Sequence, residues 1–298
     1  MSTRRQVLDR LTGLHLHQQH GRRAPHKPLL VLLALGRLAG TGSSELPWSE
    51  ALQLLSDLIA EFGPASRTGR AQSAAYPFTR LRSDGVWVLS QDVPMDLVGP
   101  LTTHDVSGRF ADPVEAALHR DPELLRSVAR ALVESHFPPT IAPDVLVAVG
   151  LDPDDVLHAA APAPVAGRRR KAGWRADVLR AWDRQCAFCG YDGQLGHASV
   201  GVEAAHVRWF SHEGPDDLDN GLALCVLHHK LFDFGAVGLD PALRITVSAA
   251  FTARTDVGRS VYDLHGRTLR PRPGTPLPAA EHVSWHRREV FKGDALAA

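Results

Sequence analysis

The sequence predicts a mainly α N-terminal domain with a small β hairpin, joined to an α+β C-terminal domain. Three observations carry this prediction. Helix start and stop signals recur through residues 1–158. A stretch of small residues and prolines without apolar period interrupts the chain at 159–173, and cannot pack a core. Beyond it, over 174–298, two cysteine knuckles are interleaved with a strand pattern and a helix pattern.

In the first domain, Pro28 followed by Leu29, Leu30, Leu32, Leu33 and Leu35 predicts a buried helix, because proline is accepted in a first helical turn and the apolar run ends at Gly40. Leu52, Leu55, Leu58, Ile59 and Phe62 recur at helical spacing after Pro47, and Gly63-Pro64 stops that helix. Asp112-Pro113 and Asp121-Pro122 each read as an N-cap carboxylate followed by a proline at the first helical position. Tyr76 to Leu81 and Val86 to Leu89 flank Arg82-Ser83-Asp84-Gly85, which is a hairpin signal. The linker ends in Arg168-Arg169-Arg170-Lys171, a basic run able to follow a phosphate backbone.

In the second domain, Trp174 to Trp182 reads as a short helix and Val200 to Val207 as a strand. The polar loop Ser211 to Asp219 precedes a helix from about Cys225 to Gly235, Val237 to Val247 reads as a hairpin, and the proline-rich 271–278 as extended chain.

Charge narrows the function. Residues 1–82 hold 11 Lys and Arg against 5 Asp and Glu, residues 83–165 hold 4 against 13, and residues 166–298 hold 18 against 15. Two basic segments thus flank an acidic one, a pattern that suits a polyanion at the two ends of the chain, with clustering of solvated charges as the alternative. The longest apolar run, Leu29 to Leu35, is too short to span a bilayer, and Met1 to Gln6 is not the apolar stretch of a secretory signal. A cytoplasmic, reducing location without membrane contact is expected, where cysteines persist as thiols.

All three cysteines fall within 40 residues, as Cys186-Ala187-Phe188-Cys189 and Cys225-Val226-Leu227-His228. Two pairs of this spacing bring two ligands each to one tetrahedral ion, and thiolate with imidazole suits a structural Zn²⁺ at Cys186, Cys189, Cys225 and His228.

Glu203-Ala204-Ala205-His206-Val207, Asp219-Asn220-Gly221 and His228-His229-Lys230-Leu231-Phe232-Asp233 together resemble the HNH endonuclease family in its zinc-containing, McrA-like branch. The resemblance implies a ββα-metal core with His206, Asn220 and His229 as the catalytic set. His206 is then the general base, Asn220 orients the loop, and His229 with Asp233 holds a catalytic Mg²⁺ or Mn²⁺. On a helix from Cys225, Cys225 and His228 share one side and His229 and Asp233 another, so one helix serves two metals. Many family members carry an acidic residue or histidine directly before the base, where this chain has Ala205. Glu203 is the candidate helper in its place.

Arg22-Arg23-Ala24-Pro25-His26-Lys27-Pro28 and Ala75-Tyr76-Pro77-Phe78-Thr79-Arg80 resemble the DNA sulfur-binding domain found fused to HNH nucleases in bacterial restriction systems. The resemblance implies that Tyr76 and Pro77 form an apolar cup for a phosphorothioate sulfur, which is larger and less strongly hydrated than oxygen. Arg22, Arg23, His26 and Lys27, and on the second block Arg80, then hold neighbouring phosphates. The expected function is a type IV restriction endonuclease for phosphorothioate-modified double-stranded DNA, able to act as a homodimer. Its rivals are an HNH nuclease for methylated or unmodified nucleic acid and a zinc-stabilised DNA-binding protein that does not cut.

Overall fold

The computed structural model describes residues 4–15, 25–64, 69–158, 171 and 173–297. The chain divides into two compact units, Met1–Ala166 and Gly167–Ala298. The division falls within the expected linker, of which only 171 and 173 are among the described residues.

The first unit is built around a helix with no polar side. After α1 (Arg4–Thr12), α2 (His26–Thr41) buries every residue from Pro28 to Gly36, as a helix apolar all round must. Gly36 lets the chain pass close by, since a Cβ there would lie 1.7 Å from the Val149 carbonyl oxygen. Around α2 run β1 (Leu46–Pro47), α3 (Trp48–Phe62), α4 (Arg70–Arg80), β2 (Trp87–Leu89), α5 (Val98–His104), β3 (Ser107–Phe110), α6 (Asp112–Arg120) and α7 (Pro122–His136). Helices α8 (Ala142–Ala148) and α9 (Pro153–Leu157) complete the unit. Asp121 caps α7 as expected, its side chain accepting from the Leu124 amide at 3.0 Å.

Three expectations are corrected here. Tyr76 to Leu81 is not a hairpin strand but the end of α4, whose buried Ala74, Ala75 and Phe78 recur at helical spacing despite the internal Pro77. The small sheet is instead β1-β3-β2, antiparallel, with Trp87 opposite Phe110 and Leu46 opposite Gly108. The N-cap of α6 is Ala111, so Asp112 lies inside the first turn, where a carboxylate complements the helix dipole. Finally, α2 begins at His26 rather than Pro28, which puts His26 and Lys27 inside its first turn.

The second unit opens with α10 (Trp174–Ala181), the knuckle at 186–189 and a two-stranded ribbon, β4 (Gln194–Leu195) and β5 (Ala198–Ser199). Then β6 (Val202–His206) pairs antiparallel with β7 (Gly221–Cys225), and α11 (Val226–Asp233) follows β7 without a loop. The hairpin expected over 237–247 is present as β8 (Val237–Leu239) and β9 (Ile245–Val247). Helices α12 (Asp256–Arg259) and α13 (Ala280–Glu289) close the chain, and the proline-rich 271–278 carries no strand or helix. Among the described residues, no helix is long and apolar enough to cross a membrane.

Candidate active site and metal centre

The ββα unit carries Glu203, His206, Cys225, His228, His229 and Asp233, while Cys186 and Cys189 come from the knuckle before it. In the β6/β7 register Val202 faces Cys225, Glu203 faces Leu224 and His206 faces Gly221. A Cβ at Gly221 would lie 2.5 Å from the Val178 side chain, so glycine lets α10 close over the strand end that carries His206. Cys225 ends β7 and serves as the N-cap of α11. His228 and His229 then sit about 100° apart around the helix axis and look toward different partners.

His228 turns to the knuckle. Its Nδ1 is 3.4 Å from Cys186 Sγ and 3.2 Å from Cys225 Sγ, and the ligand atoms of Cys186, Cys189, Cys225 and His228 all lie within 4.8 Å of one another. The edge of a tetrahedron with zinc–sulfur bonds of ~2.3 Å is ~3.8 Å, so the four ligand atoms, all within 4.8 Å of one another, are clustered closely enough to hold one zinc ion after small adjustments. The Tyr191 amide points at Cys189 Sγ at 3.4 Å, a contact that suits a thiolate. Hydrogen bonds from Cys189 and Cys225 hold the Cys186 thiol far below its usual range. Burial alone lowers His228, but the neighbouring sulfurs raise it to about 9.

His229 turns instead to β6 and to its own helix. Its Nδ1 lies 2.8 Å from Glu203 Oε2, and its Nε2 lies 3.3 Å from Asp233 Oδ2. The other oxygen of Asp233 accepts from the Trp209 indole at 2.9 Å, which fixes the carboxylate although the residue is buried. A nitrogen and an oxygen 3.3 Å apart could bind one divalent ion, since ligand bonds of ~2.1 Å at right angles span ~3.0 Å. Glu203 faces the opposite ring nitrogen, so it orients and polarises His229. Burial disfavours the imidazolium, but Asp233 and Glu203 outweigh it and push the His229 pKa up to about 9. His229 in turn holds the Glu203 carboxyl below its usual value.

His206 ends β6. Its Nε2 lies 2.8 Å from Asp216 Oδ1, and its ring stacks on Trp174 with centroids 3.7 Å apart. Asn220, fully buried, staples the intervening loop: Oδ1 accepts from the Arg208 amide at 2.8 Å, and Nδ2 donates to the Arg208 and Pro215 carbonyls at 3.0 and 2.9 Å. Sequence reasoning missed Asp216, Trp174 and Trp209 as partners of these groups. No spacing signals them: an acid in a polar loop looks solvated, and two tryptophans look like core.

In the first domain, Arg22 and Arg23 lie outside the described residues. Tyr76 is partly exposed and Pro77 buried in α4, and the Arg80 guanidinium lies 5.0 Å over the Tyr76 ring while bonding both oxygens of Asp96. Lys27 is engaged within the fold, its Nζ donating to Asp84 at 2.5 Å and to the His15 carbonyl at 3.0 Å. Burial alone would raise the Asp84 carboxyl, but Lys27 and His15 hold it below its usual value.

Residues 4–154 match the ScoMcrA-like DNA sulfur-binding domain, and residues 186–240 match the HNH endonuclease family. No curated protein matches the chain. Among solved structures it is similar to the sulfur binding domain of SprMcrA complexed with phosphorothioated DNA, at 23% identity over 50% of this chain and 95% of that one, TM-score 0.42. The sulfur binding domain of ScoMcrA complexed with phosphorothioated DNA gives 21% identity over 50% and 99%, TM-score 0.42. The Type IV phosphorothioation-dependent restriction endonuclease ScoMcrA gives 19% over 66% and 40%, TM-score 0.41. By its first half the chain belongs to the ScoMcrA-like DNA sulfur-binding domain family, and its second half carries an HNH endonuclease domain.

Proposed function

We propose that this protein is a restriction endonuclease that recognises phosphorothioate-modified double-stranded DNA through its N-terminal domain and hydrolyses the backbone nearby. The observation that carries the reading is the presence, in one sulfur-binding family chain, of a ββα unit holding His206, Asn220, His229 and Asp233 beside a Cys₃His cluster. His206 takes a proton from water, whose oxygen forms the new bond to phosphorus. The 3′ oxygen leaves with the electron pair of the broken bond. His229 and Asp233 would hold a Mg²⁺ or Mn²⁺, which would supply stabilisation of the charge on the phosphate and the leaving oxygen. Asn220 keeps the loop after β6 in place, Glu203 orients His229, and Cys186, Cys189, Cys225 and His228 would hold a Zn²⁺ that ties α11 to the knuckle.

The catalytic ion binds neutral imidazole, so its uptake displaces a proton from His229 below about pH 9. Mn²⁺ affinity by titration calorimetry should therefore rise about tenfold per pH unit between pH 6 and 8. The sign is opposite for the ion-free fold: with a raised pKa, its stabilisation by the His229 proton is complete below about 6.5 and lost as pH rises through about 9. Glu203→Gln should lower Mn²⁺ affinity ~10–100-fold without displacing the zinc, and an unchanged affinity would remove Glu203 from the site.

The target is tested on the full chain in EDTA, with phosphorothioated and ordinary duplexes of one sequence. The modified duplex should bind more tightly, and Tyr76→Ala should erase that preference. Arg22→Gln should weaken binding to both and make the salt dependence shallower by about one ion. Equal affinity of the native protein for both duplexes would overturn the sulfur reading and favour a methylated or unmodified target, leaving the nuclease assignment standing.

A further inference from the structure

A carboxylate in a nuclease loop is an awkward neighbour for a phosphate backbone unless something engages it. Asp216 is engaged on both oxygens. Oδ1 meets His206 Nε2 at 2.8 Å, Oδ2 accepts from the Lys171 amide at 2.5 Å, and the side chain is 8% exposed. Its setting is built: Asn220 Nδ2 holds the preceding Pro215 carbonyl at 2.9 Å, and Trp174, stacked on the His206 ring, is anchored by its indole to the Asp217 carbonyl at 3.1 Å. The loop, the strand end and the start of α10 thus enclose one imidazole from three sides.

We propose that Asp216 is the positioning residue of the general base, an inference that rests on the reading of His206 as that base. A carboxylate facing Nε2 puts the proton of the neutral ring on Nε2 and the basic lone pair on Nδ1. When Nδ1 takes a proton from water, the ring becomes an imidazolium and the facing Asp216 carboxylate stabilises it. The Lys171 amide and the Trp174 ring hold acceptor and ring in register, so the orientation exists before substrate arrives.

The test compares Asp216→Asn, Asp216→Glu, His206→Ala and the His206→Ala/Asp216→Asn double variant of the full chain, in single-turnover cleavage of a phosphorothioated duplex with Mn²⁺. Asp216→Asn should lower the maximal rate ~10²-fold with DNA and Mn²⁺ affinities unchanged, and Asp216→Glu should recover part of it. The double variant should cut no more slowly than His206→Ala alone. Nitrogen NMR of isotope-labelled histidine in the native chain without Mn²⁺ should find His206 as the Nε2–H tautomer, a readout that does not depend on any variant folding. An Nδ1–H tautomer, or a native rate for Asp216→Asn while His206→Ala is slow, overturns the proposal and spares the base. A native rate for His206→Ala overturns the base, and this inference with it.

Discussion

His206→Ala is expected to cut a phosphorothioated duplex about 10²–10⁴-fold more slowly than the native chain, with DNA affinity nearly unchanged. The loss is expected in the chemical step because the groups proposed to hold the two metals come from other residues: three cysteines with His228 on one side, and His229 with Asp233 on the other. Removing the ring from its stack on Trp174 costs packing as well, so melting temperature and zinc content are measured beside the rate. A native cutting rate in a folded, zinc-loaded variant would show that water is activated elsewhere.

Cys225→Ser, or removal of zinc by a strong chelator, is expected to unfold the second domain while the first keeps its own thermal transition. Cys186 and Cys225 belong to the same buried cluster as Trp182, Phe188, Val202, Leu224 and Phe232, so these two of the proposed zinc ligands are part of that core. Structural zinc contributes about 10–16 kcal/mol to small metal domains, comparable with the whole ~5–15 kcal/mol of a typical fold. Mild EDTA should do something different: cleavage stops as the ion on His229 and Asp233 is lost, while one zinc per chain remains. A zinc-free protein that still melts cooperatively in both halves and cuts DNA would sink the assignment of Cys186, Cys189, Cys225 and His228.

How much was legible in the sequence depended on whether local signals and tertiary context agreed. The run Leu29 to Leu35 after Pro28 read as a buried helix, and α2 is one. At Tyr76-Pro77-Phe78 they disagreed. Aromatic residues around a proline look like a strand start, yet burial of Ala74, Ala75 and Phe78 on one face outweighs the hydrogen bond that Pro77 forfeits inside α4. In the second domain the paired two-residue spacings of the cysteines and His228 revealed both knuckles, and the HNH resemblance supplied the His229/Asp233 pair, whose i,i+4 relation holds in α11. Asp216 could not be found that way. Its partner His206 is ten residues off across an irregular loop, and only the fold of that loop, stapled by Asn220, brings them together.

The adjacency of His228 and His229 has a mechanical consequence. Side-chain tips on a helix lie ~5–6 Å from its axis, so a roll of ~10° carries them through ~1 Å. Misplacement by ~1 Å is enough to cost ~10²-fold in a catalysed rate. Zinc bound in the proposed cage would fix the roll of α11 through His228, and with it the azimuth at which His229 would address an incoming ion. A cage distorted but still filled would thereby be expected to detune, through one rigid turn of backbone, a cutting site whose own residues are all intact.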